Sequence, residues 1–80
     1  MVSDSQERQL GVVIKRRREA ACLSQEEFAE KSGVHRTYVS QLERGLKSPS
    51  VRVLSRMADA LNCEAWELLR ESFGVRRPRG

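Results

Sequence analysis

The segment from Val34 to Gly45, which reads VHRTYVSQLERG, is dense in side chains that donate and accept hydrogen bonds. It has the pattern of a helix, yet Val34, Val39 and Leu42 are nearly its only apolar anchors. Its open side presents guanidinium, hydroxyl, phenol and amide groups. A helix with one narrow buried stripe and such an open face is suited to recognising a polar surface through hydrogen bonds.

The other chemically capable residues do not form a catalytic or metal-binding set. The chain has one histidine, His35, and two cysteines, Cys22 and Cys63, which cannot together complete a four-ligand zinc site. The sequence offers no Ser/His/acid set, no phosphate-cradling glycine loop and no carboxylate pair in a cleft. We therefore predict a protein that is not an enzyme and needs no metal or cofactor. Both cysteines are expected as free thiols, Cys63 in the core and Cys22 at a helix end.

Length and charge narrow the class of protein further. The 80 residues suffice for one compact domain with a modest core. The formal net charge of +4 favours a polyanionic partner. No apolar run approaches the roughly 20 residues that span a bilayer, and the N-terminus lacks the pattern of a secretion signal. The expected setting is the cytoplasm, with no membrane partner.

Apolar periodicity and capping residues predict five short helices and no strand. The first helix runs from about Gln6 to Ala21, and a fifth from about Glu64 to Glu71. Between them, the S-x-x-E capping box of Ser24 and Glu27 starts the second helix, and Ser50, which follows a proline, starts the fourth. The second, third and fourth helices end at residues that tolerate the left-handed conformation, namely Gly33, Gly45 and Asn62.

The spacing of four residues in the middle of the chain is typical of a helix-turn-helix. Ala29 is small enough for two helices to cross closely, and Gly33 permits a tight turn four residues later. Val39 and Leu42 then dock the second of the two helices by a thin apolar stripe. In such a motif the remaining face of that helix enters the major groove of DNA, where polar and basic side chains are needed to contact bases and phosphates.

From Leu10 to Leu69 the sequence resembles the phage-repressor (Cro and Xre) type helix-turn-helix proteins. The motifs that carry the resemblance are SQEE, the span from Ala29 to Leu42, ERG and ALN. The short chain and Arg36-Thr37-Tyr38 further resemble controller proteins of restriction-modification systems. The resemblance implies an all-α, compact five-helix lambda-repressor-like DNA-binding domain over residues 1–75, followed by a basic disordered tail, 76–80. Two departures affect the turns: Cys22 replaces a usual glycine, and His35 replaces a capping serine or threonine.

Individual DNA contacts follow from the resemblance. Base-reading positions correspond to Arg36, Thr37, Tyr38, Ser40 and Gln41, with packing at the helix edge as the alternative for Tyr38. Phosphate contacts are expected at Gln25, Arg44, Lys47 and Ser48, and with weaker support at Arg16 and Arg17. The tail arginines, Arg76, Arg77 and Arg79, could add nonspecific affinity or form a frayed end.

Two further expectations concern structure and assembly. The family counterparts of Arg18 and Glu43 form an internal ion pair, so we expect a partly buried Arg18–Glu43 pair here. We expect a homodimer, because one reading helix covers too few bases to discriminate against a genome. Its contact is assigned to Leu68, Phe73 and Val75, with Trp66 and Leu69 in the core; the alternative places all of them in the core of one protomer.

The predicted function is that of a sequence-specific DNA-binding transcriptional regulator. As a homodimer it would dock its third helix in the major groove of a pseudo-palindromic operator and block or recruit RNA polymerase. The alternative is a helix-turn-helix antitoxin or bridging factor whose main duty is to bind a protein. Little chain remains outside the domain to cover a toxin, which favours the regulator.

Overall fold

The computed structural model describes residues 5–74 and places five helices in them. They are α1 (Gln6–Ala20), α2 (Gln25–Ser32), α3 (Arg36–Glu43), α4 (Val51–Ala60) and α5 (Ala65–Phe73). Residues 5–74 contain no strand, so the predicted all-α, five-helix fold is confirmed. The expected basic tail and Val75 lie outside the described residues.

Serine side chains start three of the helices. The Ser24 hydroxyl accepts the Glu27 amide at 3.0 Å, and the Glu27 carboxylate accepts the Ser24 amide at 2.8 Å. This is the predicted capping box, and its two bonds satisfy amides that a helix start leaves free. Ser50 caps α4 as predicted, by accepting the Val53 amide at 3.2 Å, and Ser5 caps α1 through the Arg8 amide.

The first four helices end in one and the same way. In each, a residue with positive φ reverses the chain, and the amide after it returns to a carbonyl of the last helical turn. The left-handed residues are Cys22, Gly33, Gly45 and Asn62, at φ 60°, 70°, 79° and 58°. The returning bonds run from Leu23 to Arg18, Val34 to Ala29, Leu46 to Gln41 and Cys63 to Ala58. Each of these four helix ends is therefore closed by a backbone hydrogen bond.

The core lies where all five helices meet. Its fully buried side chains include Ile14, Phe28, Val39, Met57 and Leu68. Helix α1 packs on α3 and α5, α2 packs on α3 and α4, and α4 packs on α5. Because apolar residues of every helix enter this core, α3 is held against the rest of the domain along its whole inner face.

Helix α1 lies very close to the backbone of α3 at Gly11. A Cβ atom at this position would lie 2.4 Å from the carbonyl oxygen of Leu42 and 2.8 Å from that of Glu43. Both distances are shorter than van der Waals contact allows, so only glycine fits without a shift of the backbone. The absence of a side chain at Gly11 therefore permits the short distance between the backbones of α1 and α3.

Helix α5 is rotated relative to the prediction, and the assignment of its apolar residues is wrong. Leu68, expected at a dimer contact, is fully buried within the protomer, whereas Trp66 and Leu69, expected in the core, are 57% and 38% exposed. The inward face consists of Leu68 flanked by Ala65 and Ser72. Because Ala65 and Ser72 are small, α5 can lie close to α1 and α4. The larger indole of Trp66 would not fit between these helices.

No helix between residues 5 and 74 combines the length and apolar character needed to cross a membrane. Both cysteines are free thiols: Cys22 is exposed just beyond α1, and Cys63 is half-buried against the core. Burial raises the pKa of the Cys63 thiol.

Candidate nucleic-acid interface

Helix α3 separates its residues into a buried and an open face. Val39, Leu42 and Glu43 are buried. The open face is formed by positions at i, i+3, i+4 and i+7, which lie one above the other along a helix. These positions are Thr37, Ser40, Gln41 and Arg44; Thr37 and Arg44 are exposed, and Ser40 and Gln41 are half-buried. Arg36, exposed in the first turn, flanks this row.

His35 caps the start of α3. Its backbone is extended, at φ −80° and ψ 148°, and its Nδ1 accepts the Thr37 amide at 3.1 Å. An imidazole nitrogen that accepts a hydrogen bond carries no proton, so in the neutral ring the proton is on Nε2. His35 thus does the work of the serine or threonine usual at this position. The sequence pattern indicates only that His35 departs from the usual serine or threonine, so it does not predict that the imidazole caps α3.

Tyr38 lies at the edge of the open face and joins α3 to the loop that follows it. Its side chain is half-buried and packs against the core, and burial raises the pKa of its phenol. The phenol oxygen donates a long hydrogen bond, 3.4 Å, to the carbonyl of Ser48. These contacts favour packing at the helix edge, one of the two alternatives, and they hold the exposed residues Lys47 and Ser48 beside α3.

The ion pair between Arg18 and Glu43 is present and buried. The two side chains are 9% and 3% exposed. Arg18 Nε lies 2.6 Å from Glu43 Oε2, and Arg18 Nη2 lies 3.1 Å from Glu43 Oε1. The third nitrogen, Nη1, donates to the Leu23 carbonyl at 2.8 Å. The hydrogen bonds to Glu43 raise the pKa of Arg18, and the pair ties α1 to the end of α3 and to the link before α2.

Gln25, the first residue of α2, joins the same group. Its Nε2 donates to Glu43 Oε1 at 3.0 Å, and its side chain is half-buried. The predicted phosphate contact therefore lies next to the end of α3 and has an internal partner. The sequence carries no signal for this bond, because Gln25 and Glu43 are 18 positions apart and on different helices.

Arg17 pairs with acidic residues of α5. Its guanidinium binds Glu71 of α5, with Nε 3.2 Å from Oε1, and lies 3.6 Å from Glu67. The hydrogen bond from Arg17 lowers the pKa of Glu71. Adjacent helical positions point about 100° apart, so Arg17 faces α5 because Arg18 faces α3. Arg16, the weaker candidate, also contacts Glu71, at 3.5 Å. The phosphate contacts expected at Arg16 and Arg17 stay predictions.

The helix-turn-helix family HTH_3 matches residues 14–67 of the chain. A curated relative, an uncharacterised HTH-type transcriptional regulator of Mycobacterium tuberculosis, is 46% identical over 68 residues, which cover 85% of this chain and 48% of the relative. The chain thus spans about half the length of the relative. The name of the relative describes a transcriptional regulator.

Three solved structures share the fold. The clp gene regulator ClgR from Corynebacterium glutamicum superposes with a TM-score of 0.84 at 31% identity, over 88% of this chain and 74% of that one. The restriction-modification controller protein C.AhdI from Aeromonas hydrophila gives 0.76 at 37% identity, over 78% and 94%. SinR, the master regulator for biofilm formation, solved in complex with DNA, gives 0.71 at 36% identity, over 75% and 97%. The chain belongs to the helix-turn-helix family of the phage-repressor (Cro and Xre) type, as its sequence predicted.

Proposed function

We propose that the protein is a sequence-specific transcriptional regulator that places α3 in the major groove of double-stranded DNA. The observation that carries the proposal is the row of Thr37, Ser40, Gln41 and Arg44 on a helix whose opposite face is buried. A major groove about 12 Å wide admits one α-helix. The likeness to SinR, which is solved with DNA, supports this reading of the row.

The residues on the open side of α3 have the chemistry to distinguish bases. Arg36 suits guanine, whose O6 and N7 accept a bidentate guanidinium, and Gln41 suits adenine, which offers one donor and one acceptor. The Thr37 methyl can contact a thymine methyl, and the Ser40 hydroxyl can donate or accept. Tyr38, which packs at the edge, is proposed as a flanking contact only.

Residues around α3 are proposed to bind the phosphate backbone and so fix the position of the helix in the groove. Lys47 and Ser48 lie in the loop directly after it and are exposed, and Arg44 is exposed at its end. Gln25 lies at the start of α2, beside the end of α3. Contacts to phosphate carry no sequence information themselves, but they set the register in which bases are read.

We further propose a homodimer, with its contact at an apolar groove formed by α1, α4, α5 and the loop before α4. Val51 is 86% exposed there and Leu69 38% exposed, and Phe73 completes the rim. Leu10 and Leu54 line the floor of this groove of about 260 Å³. Of the residues predicted at the contact, Phe73 is retained and Leu68 is replaced by Leu69 and Val51. Ser48 also lines the groove, which places the proposed contact next to the proposed DNA-facing loop.

In such a dimer, the two copies of α3 would lie about 34 Å apart, in successive major grooves of a pseudo-palindromic operator. The bound dimer would then block or recruit RNA polymerase by its position on the promoter. The proposed place of action is the cytoplasm, where a prokaryotic chromosome is accessible.

The proposal is tested by selecting duplexes from a random library and comparing two variants on the selected site. Arg36→Ala should cost about 1–3 kcal/mol of binding free energy on that site and lose the preference at one base position, while binding to random duplex barely changes. Lys47→Ala is the matched control, because loss of a phosphate contact should weaken both duplexes alike and reduce the salt slope by about one unit. A library that never enriches would refute sequence-specific binding. Equal weakening of both duplexes by Arg36→Ala would refute the base contact.

A further inference from the structure

Glu43 has more hydrogen-bond partners than a structural ion pair requires. Its Oε2 accepts from Arg18 Nε at 2.6 Å, and its Oε1 accepts twice, from Arg18 Nη2 at 3.1 Å and from Gln25 Nε2 at 3.0 Å. One carboxylate thus connects α1, the end of α3 and the start of α2. The bond to Gln25 is the only one of the three that ends on a residue proposed to contact DNA.

The chemistry of a carboxylate determines how Gln25 must be oriented. An ionised carboxylate can only accept hydrogen bonds, so the amide nitrogen of Gln25, and not its oxygen, has to face Glu43. That nitrogen carries two N–H groups, and the bond to Glu43 uses one of them. The second N–H remains to be donated to an anion, in a direction that the first bond fixes.

Arg18 makes this arrangement compatible with DNA. A buried carboxylate close to a phosphate contact would repel the phosphate if it stood alone. The guanidinium of Arg18 neutralises the charge of Glu43 through two hydrogen bonds while leaving Oε1 able to accept from Gln25. Gln25 is thus held by a charged group without an unbalanced negative charge beside it.

We infer that Glu43 is a positioning residue for the DNA backbone, acting through the side-chain amide of Gln25. The inference rests on the proposed function and deepens it. Ordering the amide before binding reduces the entropy that a free glutamine side chain would lose on contact with phosphate. The last residue of α3 therefore couples the position of the reading helix to a phosphate contact made by α2.

A double-mutant cycle tests this coupling on a random-sequence duplex, since a phosphate contact does not depend on sequence. Gln25→Ala should weaken binding about tenfold, the usual scale for a hydrogen bond to a charged group. Glutamine is uncharged, so the salt slope should stay unchanged, unlike that of Lys47→Ala. Glu43→Gln should weaken binding by a similar factor in the native background and by less than about twofold in the Gln25→Ala background.

Binding is measured at low temperature, where circular dichroism verifies that each variant is folded. If Glu43→Gln does not fold, Glu43→Asp replaces it, because it keeps the charge for Arg18 and withdraws the carboxylate from Gln25. The second readout is the NMR order parameter of the Gln25 side-chain amide, which should be high in the native protein and fall in the Glu43 variant.

Three results would overturn the inference. If Glu43→Gln weakens binding equally in both backgrounds, Glu43 acts only through the fold. If Gln25→Ala leaves binding unchanged while the native protein binds duplex, the inference fails and the proposed function stands. If the native protein binds no duplex at all, the proposed function fails, and the inference fails with it.

Discussion

Three consecutive arginines on α1 illustrate how position, and not residue type, decides the role of a charge. Arg16 and Arg17 pair with glutamates of α5 on the surface, whereas Arg18 is buried against Glu43. The exposed pairs are screened by water and compete with side-chain entropy. The buried pair has lost its hydration, so removing one partner leaves the other charge without compensation.

Glu43→Gln and Glu71→Gln should therefore differ in their effects on stability, although each removes one carboxylate charge that pairs with arginine. We expect Glu43→Gln to lower the free energy of unfolding by about 3 kcal/mol, because the buried Arg18 would keep only the exposed Glu19, 3.9 Å away, as an acidic partner. Glu71→Gln, the matched surface control, should cost less than about 1 kcal/mol. Urea unfolding followed by circular dichroism measures both. Equal midpoints for the two variants would contradict the distinction between the pairs.

Cys22 carries a backbone conformation that suits glycine. Its φ of 60° costs a residue with a Cβ about 1–2 kcal/mol, of which the greater flexibility of unfolded glycine offsets about half. We expect Cys22→Gly to raise the free energy of unfolding by about 0.5–1 kcal/mol. The thiol is exposed, so little packing is lost.

Asn62→Gly provides the control for this substitution. Asn62 has nearly the same φ, 58°, but asparagine tolerates the left-handed region, so its replacement should change stability by less than about 0.5 kcal/mol. Thermal melting in reducing buffer compares the two. A Cys22→Gly protein that melts below the native protein would show that Cys22 makes a stabilising contact instead.

At the scale of helices, the crossing of α1 and α3 depends on Gly11. Alanine favours a helix by about 1 kcal/mol over glycine, so local propensity alone predicts that Gly11→Ala stabilises the protein. The contact with the Leu42 carbonyl predicts the opposite, because a Cβ 2.4 Å away forces the two backbones apart. We expect a net loss of about 1–3 kcal/mol, the usual cost of overpacking.

Gln9→Ala, on the exposed side of the same helix, is the control for Gly11→Ala and should stay within about 0.5 kcal/mol of the native protein. Chemical denaturation of the three proteins compares the effects. If Gly11→Ala were as stable as Gln9→Ala, α1 and α3 could move apart at little cost in free energy, and the prediction would be wrong.

The helix boundaries could be predicted from the sequence because their causes are local. The capping box at Ser24, the cap at Ser50 and the left-handed residues Gly33 and Asn62 each act within a few positions of themselves. The rotation of α5 could not be predicted, because it depends on how closely α1 and α4 approach and not on the hydrophobicity of Trp66. Local rules therefore predict where the helices begin and end, whereas tertiary packing determines which face of α5 is buried.

The same division holds for the candidate site. The open face of α3 follows from helical spacing, so Thr37, Ser40 and Gln41 could be placed together in advance. Two contacts of this region join segments that are distant in the sequence, so no local pattern encodes them. They are the hydrogen bond between Gln25 and Glu43 and the ion pair between Arg17 and Glu71 of α5.

For the described molecule as a whole, ion pairs reduce the net charge of one surface. Glu67 and Glu71 of α5 lie against Arg16 and Arg17, so these charges largely cancel at the α1–α5 surface. Exposed cations flank α3, among them Arg36, Arg44 and Lys47, and others lie elsewhere on the described surface, among them Lys15 and Arg70. The cations beside α3 favour the approach of a polyanion to the face that carries the proposed base-reading residues.

Assembly is the last property that follows at this scale, and its test has to use a residue that is exposed. Leu68→Glu would place a charge in the core of one protomer and so test folding, since Leu68 is fully buried. Leu69→Glu places the same charge on the apolar groove, beside Val51 and Phe73. Burying this carboxylate between two copies would be costly, so we expect the variant to be a folded monomer.

Val12→Glu is the matched control, because Val12 is 55% exposed on α1 and lines a different groove, beside Arg8 and Arg16. Sedimentation at micromolar concentration should give a dimer for the native protein and for Val12→Glu, and a monomer for Leu69→Glu. A dimer that survives Leu69→Glu but not Val12→Glu would move the contact to α1. A native protein that stays monomeric even on a duplex with two half-sites would exclude the dimer, and each chain would then have to read its site with a single α3.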